Sequence, residues 1–155
     1  MGNAVLGIDP GATSGWAIVS ISANPKLLRH GIFKFKDDAS TVRELTLALD
    51  GLEDTVIKTF IENQFVSKNI QSTMKICKKA GRWEEASIYH GIDVEYIYPA
   101  TWQSKELNGH KRATLKKASI AKCKGIWNVN LKEDTADASL IGRYAALRQF
   151  FIPGQ

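Results

Sequence analysis

The stretch Ala4-Val5-Leu6-Gly7-Ile8-Asp9-Pro10-Gly11, continued by Ser14-Gly15-Trp16-Ala17-Ile18-Val19-Ser20-Ile21, is the one on which the reading of this chain turns. Ala4 to Asp9 is an apolar run stopped by Pro-Gly, and Gly15 to Ile21 is a second run rich in Ile, Val and Trp, so together they predict a β-hairpin. An aspartate that ends an apolar strand before Pro-Gly holds its carboxylate at the strand end, where the turn lets a ligand approach the backbone. A plain turn accounts for Asp-Pro-Gly equally well.

Outward from this hairpin, Gly31 to Lys36 alternates, with Phe33 and Phe35 on one face and Ile32, Lys34 and Lys36 on the other, which predicts a third strand. Asp38 or Ser40 can cap a helix running to about Leu49 through Val42 and Leu45. Thr55 to Ile61 is a β-branched strand ending at Glu62. A long helical segment follows from about Lys68 to Tyr89, interruptible at Gly81, with Ile70, Met74 and Cys77 on one face. Asp93 to Tyr98 predicts a fifth strand, Pro99 to Leu107 a short helix or turn, and Ala113 to Lys124 a basic helix. Asp134 to Phe151 predicts a final helix with Leu140, Tyr144, Leu147 and Phe151 as its apolar stripe. This order predicts an α/β fold with a mixed five-stranded sheet flanked by helices.

At 155 residues the chain is expected to form one domain spanning 1–155 with a core that needs no staples. Hydrophobic residues make up 44% and charged residues 24%, values of a globular rather than a disordered chain. There is no basic, apolar leader at the start and no run of about 20 apolar residues, so a cytoplasmic protein with no membrane association is expected. Cys77 and Cys123 lack CxxC spacing and are expected to be small buried residues, neither a disulfide nor a zinc site. His30 and His90 show no metal-like spacing either.

The net charge of +5 is unevenly spread. Lys105, Lys111, Arg112, Lys116, Lys117, Lys122 and Lys124 fall within twenty residues that hold a single acid, Glu106, and Lys68, Lys75, Lys78, Lys79 and Arg82 form a second block with none. Basic blocks of this kind suit phosphate binding, and His110 sits within the first. Solvated helix faces are the other account of them.

Four acids stand out against that background: Asp9, Glu62, Asp134 and Asp137. Glu62 follows a run that should be buried, and a carboxylate at the mouth of an interior strand requires partners or exposure. Asp134 and Asp137 are one helical turn apart and project from the same face, although acids in a first turn also complement the helix dipole unaided. If the four meet, their repulsion demands compensation by cations, and oxygen-only ligands favour a pair of Mg²⁺ ions, with Mn²⁺ able to substitute. Two-metal sites of this sort commonly serve phosphodiester hydrolysis.

Gly7-Ile8-Asp9-Pro10-Gly11 with Ser14-Gly15, Glu62-Asn63-Gln64-Phe65 with Lys68-Asn69, and Asp134-Thr135-Ala136-Asp137-Ala138 occur in the order seen in RuvC-type Holliday junction resolvases, which this chain resembles over nearly its whole length. The resemblance implies a ribonuclease-H-like fold, a homodimer, and Mg²⁺-dependent paired symmetric nicking of four-way DNA junctions. It implies that Asp9, Glu62, Asp134 and Asp137 are the catalytic acids and metal ligands, that Phe65 stacks on a base at the junction, and that Lys105 and either Lys116 or Lys117 lie near the scissile phosphate. Asn63, Trp102-Gln103 and His110-Lys111-Arg112 depart from the bacterial pattern and are nearer the shorter phage-borne relatives, some of which cut several branched DNAs.

Three other readings stay open at this point. Asp9-Pro10-Gly11 with Gly15 also resembles the phosphate hairpin of the actin, heat-shock chaperone and sugar-kinase class, a catalytically silent junction-binding module fits the basic blocks, and a related nuclease could take RNA or flap substrates.

Overall fold

The computed structural model describes residues 1–11, 13–35, 40–63 and 68–154. Its strands are β1 (Asn3–Asp9), β2 (Ser14–Ser20), β3 (Leu27–Phe33), β4 (Thr55–Glu62) and β5 (Asp93–Ile97). Its helices are α1 (Thr41–Leu49), α2 (Ile70–Tyr89), α3 (Pro99–Glu106), α4 (Leu115–Trp127) and α5 (Glu133–Phe151), with a 3-10 turn at Arg112–Thr114 ahead of α4. The five strands form one sheet in the order β3-β2-β1-β4-β5. β1 pairs antiparallel with β2 and parallel with β4, β2 pairs antiparallel with β3, and β4 pairs parallel with β5.

β1 lies at the centre, and Ala4 through Ile8 are buried on both faces, as a strand covered on both sides should be. Alternation sorts its side chains. Ala4, Leu6 and Ile8 join Trp16, Ile18, Phe33, Ile61, Leu45 and Trp83 in a core beneath α1 and α2. Val5 joins Ala17, Val19, Phe60, Ile97 and Trp102 in a second core beneath α3, α4 and α5. Asp9 continues the Val5–Gly7 row and Glu62 continues from Phe60, so both acids leave the sheet on the α5 side.

α5 crosses that face at very short range. A Cβ on Gly7 would stand 2.3 Å from the Ala138 carbonyl oxygen, and one on Gly15 2.0 Å from that of Asp134. No other residue fits at either position without moving the helix. The helix answers with small residues: Ala136, Ala138, Ala145 and Ala146 are fully buried, and so is Gly142. This corrects the expected apolar stripe, in which Leu140 is buried but Tyr144 and Leu147 are only half-buried and Phe151 is 68% exposed.

Other boundaries also moved. β3 starts four residues before the expected strand and ends at Phe33, whose ring packs edge-on against Phe35 and Trp83 at 4.8 and 5.7 Å. α2 is continuous through Gly81 and is capped by the Asn69 side chain, which accepts from the Ser72 N–H at 3.1 Å. Its sheet-facing residues are Thr73, Ala80, Trp83, Ala86 and Ser87, whereas Ile70, Met74 and Cys77 face outward. Cys77 is thus exposed and not buried, while Cys123 is buried as expected. No helix among the described residues is long and apolar enough to cross a membrane.

Candidate active site

Ile8 pairs with Ile61 at the parallel edge between β1 and β4, so the next residues, Asp9 and Glu62, stand side by side at the carboxyl ends of the two strands. On its other side Asp9 pairs with Gly15, the position where the main chain of Asp134 comes down onto the sheet. Glycine at 7 and 15 therefore brings the first turns of α5, with Asp134 and Asp137, against the Asp9 strand end. Ligands of open α/β sheets commonly sit beyond the carboxyl ends of such strands.

The charges register this convergence. The Asp9 carboxyl is held well above the usual carboxylate range, first by burial and then by the negative charges of Glu62, Asp137 and Asp134, while the Gly11 N–H pulls it back. Asp137 is pushed up to about 6, chiefly by burial and further by Glu133 and Asp134. The buried Ser119 hydroxyl on α4 lies beside Asp137 and favours its ionised form, although it makes no hydrogen bond of full geometry. Asp134 is raised by burial and by Glu133, with Lys116 opposing.

Among the described residues, no three acidic, histidine or cysteine side chains already form a closed ligand set. The donors are all oxygen, and a hard divalent cation relieves the strain they share, so the residues fit Mg²⁺ or Mn²⁺.

Lys116 and Lys117, equivalent by sequence, are separated by the fold. Lys116 Nζ pairs with Glu133 at 2.6 Å and feels the charges of Asp134 and Asp137 as well. Lys117 is simply exposed on α4. The rest of the first basic block is also divided. The lone acid Glu106 is 5% exposed and receives Arg143 Nη1 on both carboxylate oxygens at 2.9 and 2.7 Å, with Lys122 Nζ at 3.0 Å. Lys122 is thereby a structural residue that ties α4 to α3 and α5. Lys105, His110, Lys111 and Arg112 are exposed, and His110 and Arg112 line a cleft of about 660 Å³ with Pro99, Gln103, Ser104 and Leu107. That cleft is bordered by none of the four acids.

In the second block Lys68, Lys75 and Lys78 are exposed, while Lys79 Nζ and the Arg82 guanidinium stand over the Phe35 ring at 5.6 and 4.9 Å. Phe65 lies outside the described residues.

One contact at the site carries no sequence signal. The Trp102 indole N–H donates to Glu62 Oε2 at 2.6 Å across forty residues of chain. An indole donor facing an acid is visible only once β4 and α3 are packed together.

A sheet ordered β3-β2-β1-β4-β5, with acids ending β1 and β4 and two more on a last helix laid across them, is the arrangement of the ribonuclease-H-like class of α/β folds. The family model described as crossover junction endodeoxyribonuclease RuvC matches residues 5–140. The RuvC crossover junction endodeoxyribonuclease of Oleidesulfovibrio alaskensis is 31% identical over 149 residues, spanning 88% of this chain and 86% of that protein. Among solved structures, T. thermophilus RuvC in complex with a Holliday junction substrate superposes with a TM-score of 0.75 at 18% identity, over 96% of each chain. The Fowlpox virus resolvase complex with Holliday junction DNA superposes with a TM-score of 0.52 at 13% identity, over 92% of this chain and 97% of the viral one. The chain belongs to the RuvC family of crossover junction endodeoxyribonucleases. Membership of that family sets aside the ATP-binding alternative.

Proposed function

We propose that this chain is a divalent-metal-dependent endonuclease that resolves four-way DNA junctions by paired symmetric nicks, acting as a homodimer. The observation that carries the reading is the placement of Asp9 and Glu62 side by side at the carboxyl ends of β1 and β4, with the start of α5, which bears Asp134 and Asp137, packed against Gly15 beside them. Asp9, Glu62, Asp134 and Asp137 would hold the metal, as two Mg²⁺ ions or with Mn²⁺ in their place. When bound, such ions activate water near neutral pH and stabilise the charge of the departing oxygen.

The chain's own groups have separate tasks. Lys116, steered by Glu133 toward the acids, offsets charge on the free oxygens of the scissile phosphate. Lys117 and Lys105, both exposed, act as phosphate anchors. Lys111 and Arg112 with His110 on one side, and Lys68, Lys75 and Lys78 with Lys79 and Arg82 on the other, provide two cationic arms for the branches of the substrate. Phe65 is proposed to stack on a base opened at the crossover. Junction DNA as substrate is supported by the family and by the substrates named for the T. thermophilus and Fowlpox virus relatives.

Two symmetric cuts are most simply made by two sites related by a two-fold axis. Ile70 at 63% and Met74 at 56% exposure, beside Cys77, form an apolar face on α2 suited to that contact. Trp83, at 1% exposure, belongs to the core and not to an interface.

The test is a substrate panel of labelled four-way junctions, flaps, RNA–DNA hybrids and plain duplex, each with Mg²⁺ and with EDTA. Paired, symmetric, Mg²⁺-dependent nicks in the four-way junction above all others are expected. Preferential cutting of the hybrid or flap, or binding without cutting, would replace this reading with one of its rivals.

A further inference from the structure

Glu62 lies where the β4–β5 ladder ends and α3 begins. Its backbone ends the β4–β5 ladder opposite Ile97, and the next N–H, that of Asn63, donates to the Ile97 carbonyl at 2.7 Å. The chain then leaves β5 through Tyr98 and turns at once into α3, with Pro99 in its first turn. This turn carries Trp102 back over the end of β4, where its indole N–H meets Glu62 Oε2 at 2.6 Å. The indole is only 1% exposed and sits in the core formed with Phe60, Ile97 and α5, so the donor has little freedom to look elsewhere. A buried indole N–H needs an acceptor, and a carboxylate supplies a charge-assisted one.

The choice of donor has a consequence for the site. Lysine or arginine here would fix the Glu62 carboxylate but cancel the charge that attracts a cation. An indole orients it and leaves its full charge in place.

We propose that Trp102 is a positioning residue that presents the Glu62 carboxylate for metal binding through its indole N–H. This inference rests on the reading of Glu62 as a metal ligand, and the experiment separates the two. Mn²⁺ is titrated calorimetrically into the DNA-free protein, comparing wild type, Trp102→Phe, Glu62→Gln and the double variant. Loss of a partner that orients a ligand typically weakens metal affinity about 10- to 100-fold, and that is the effect expected of Trp102→Phe. In the Glu62→Gln background the same change should add nothing further.

A Trp102→Phe affinity within about twofold of wild type, with Glu62→Gln clearly weakened, overturns the inference and leaves the site reading standing. Unchanged affinity in Glu62→Gln overturns both. A role in packing alone would lower the metal-free melting temperature without moving the Mn²⁺ affinity, and that result also counts against the proposal. Should Trp102→Phe fail to fold, benzothienylalanine at 102 removes only the N–H, and the same two outcomes decide.

Discussion

Neutralising Asp137 should make the metal-free protein more stable while destroying its activity. Burial and the charges of Glu133 and Asp134 lift Asp137 from an ordinary 3.8 to about 6. At about 1.4 kcal/mol per pH unit, this is a ceiling of about 3 kcal/mol of native-state destabilisation when the group is ionised. The folded protein holds this proton more tightly than the unfolded chain does. The destabilisation is therefore absent at the lowest pH, accumulates as pH rises from about 4 to about 6, and is complete above that. Asp137→Asn removes it. For a chain of this size 1 kcal/mol corresponds to about 2–4 °C, so a rise of at most roughly 6–12 °C in EDTA at pH 7.5 is expected, and about half of that at pH 5. In wild type, added Mg²⁺ should recover much of the same stability, whereas the variant should respond weakly. Scanning fluorimetry at the two pH values, with EDTA or Mg²⁺, reads all four numbers. A variant whose melting temperature in EDTA equals or falls below that of wild type at both pH values would refute the electrostatic argument.

Gly15→Ala places a Cβ 2.0 Å from the Asp134 carbonyl oxygen, so it should push the start of α5 off the sheet and abolish cleavage; retention of wild-type cleavage would mean that the acids do not depend on this close packing. Glu106→Ala strands Arg143 and Lys122 beside an emptied partner position and should cost about 3–5 kcal/mol in urea unfolding. Lys116→Ala should slow single-turnover junction cleavage roughly 100-fold with binding little changed, whereas Lys117→Ala should act mainly on binding and its salt dependence; equal effects on both readouts would remove the distinction between them.

The parts of the fold legible in the sequence are those written in local pattern. The hairpin, β4 ending at Glu62 and β5 follow from β-branched runs with clear stops; Asp9 and Glu62 stand out because each ends such a run, and Asp134 and Asp137 because they lie one turn apart at the start of a helix. The start of β3 is not legible because Leu27-Leu28-Arg29-His30 has no alternation of its own and pairs along the edge that β2 offers. The buried face of α5 is hidden for a related reason: Leu140, Tyr144, Leu147 and Phe151 have helical spacing, but the glycines of β1 and β2 admit an alanine-lined face. Cys77 lies at the surface and Trp83 in the core because the apolar spacing of α2 does not say which side the sheet occupies. The Trp102–Glu62 bond and the Glu106–Arg143 pair join residues about forty positions apart, and no local pattern encodes them. Lys116 is singled out from Lys117 only by its placement opposite Glu133.

Cutting of a labelled four-way junction by wild type and by Asp9→Asn, scored alongside binding of the same DNA, bears most directly on the claim that Asp9 and its three neighbouring acids are one catalytic centre. Wild type should make paired nicks in Mg²⁺ and none in EDTA, while Asp9→Asn should bind the junction normally and leave it whole. Undiminished nicking by Asp9→Asn would contradict the account.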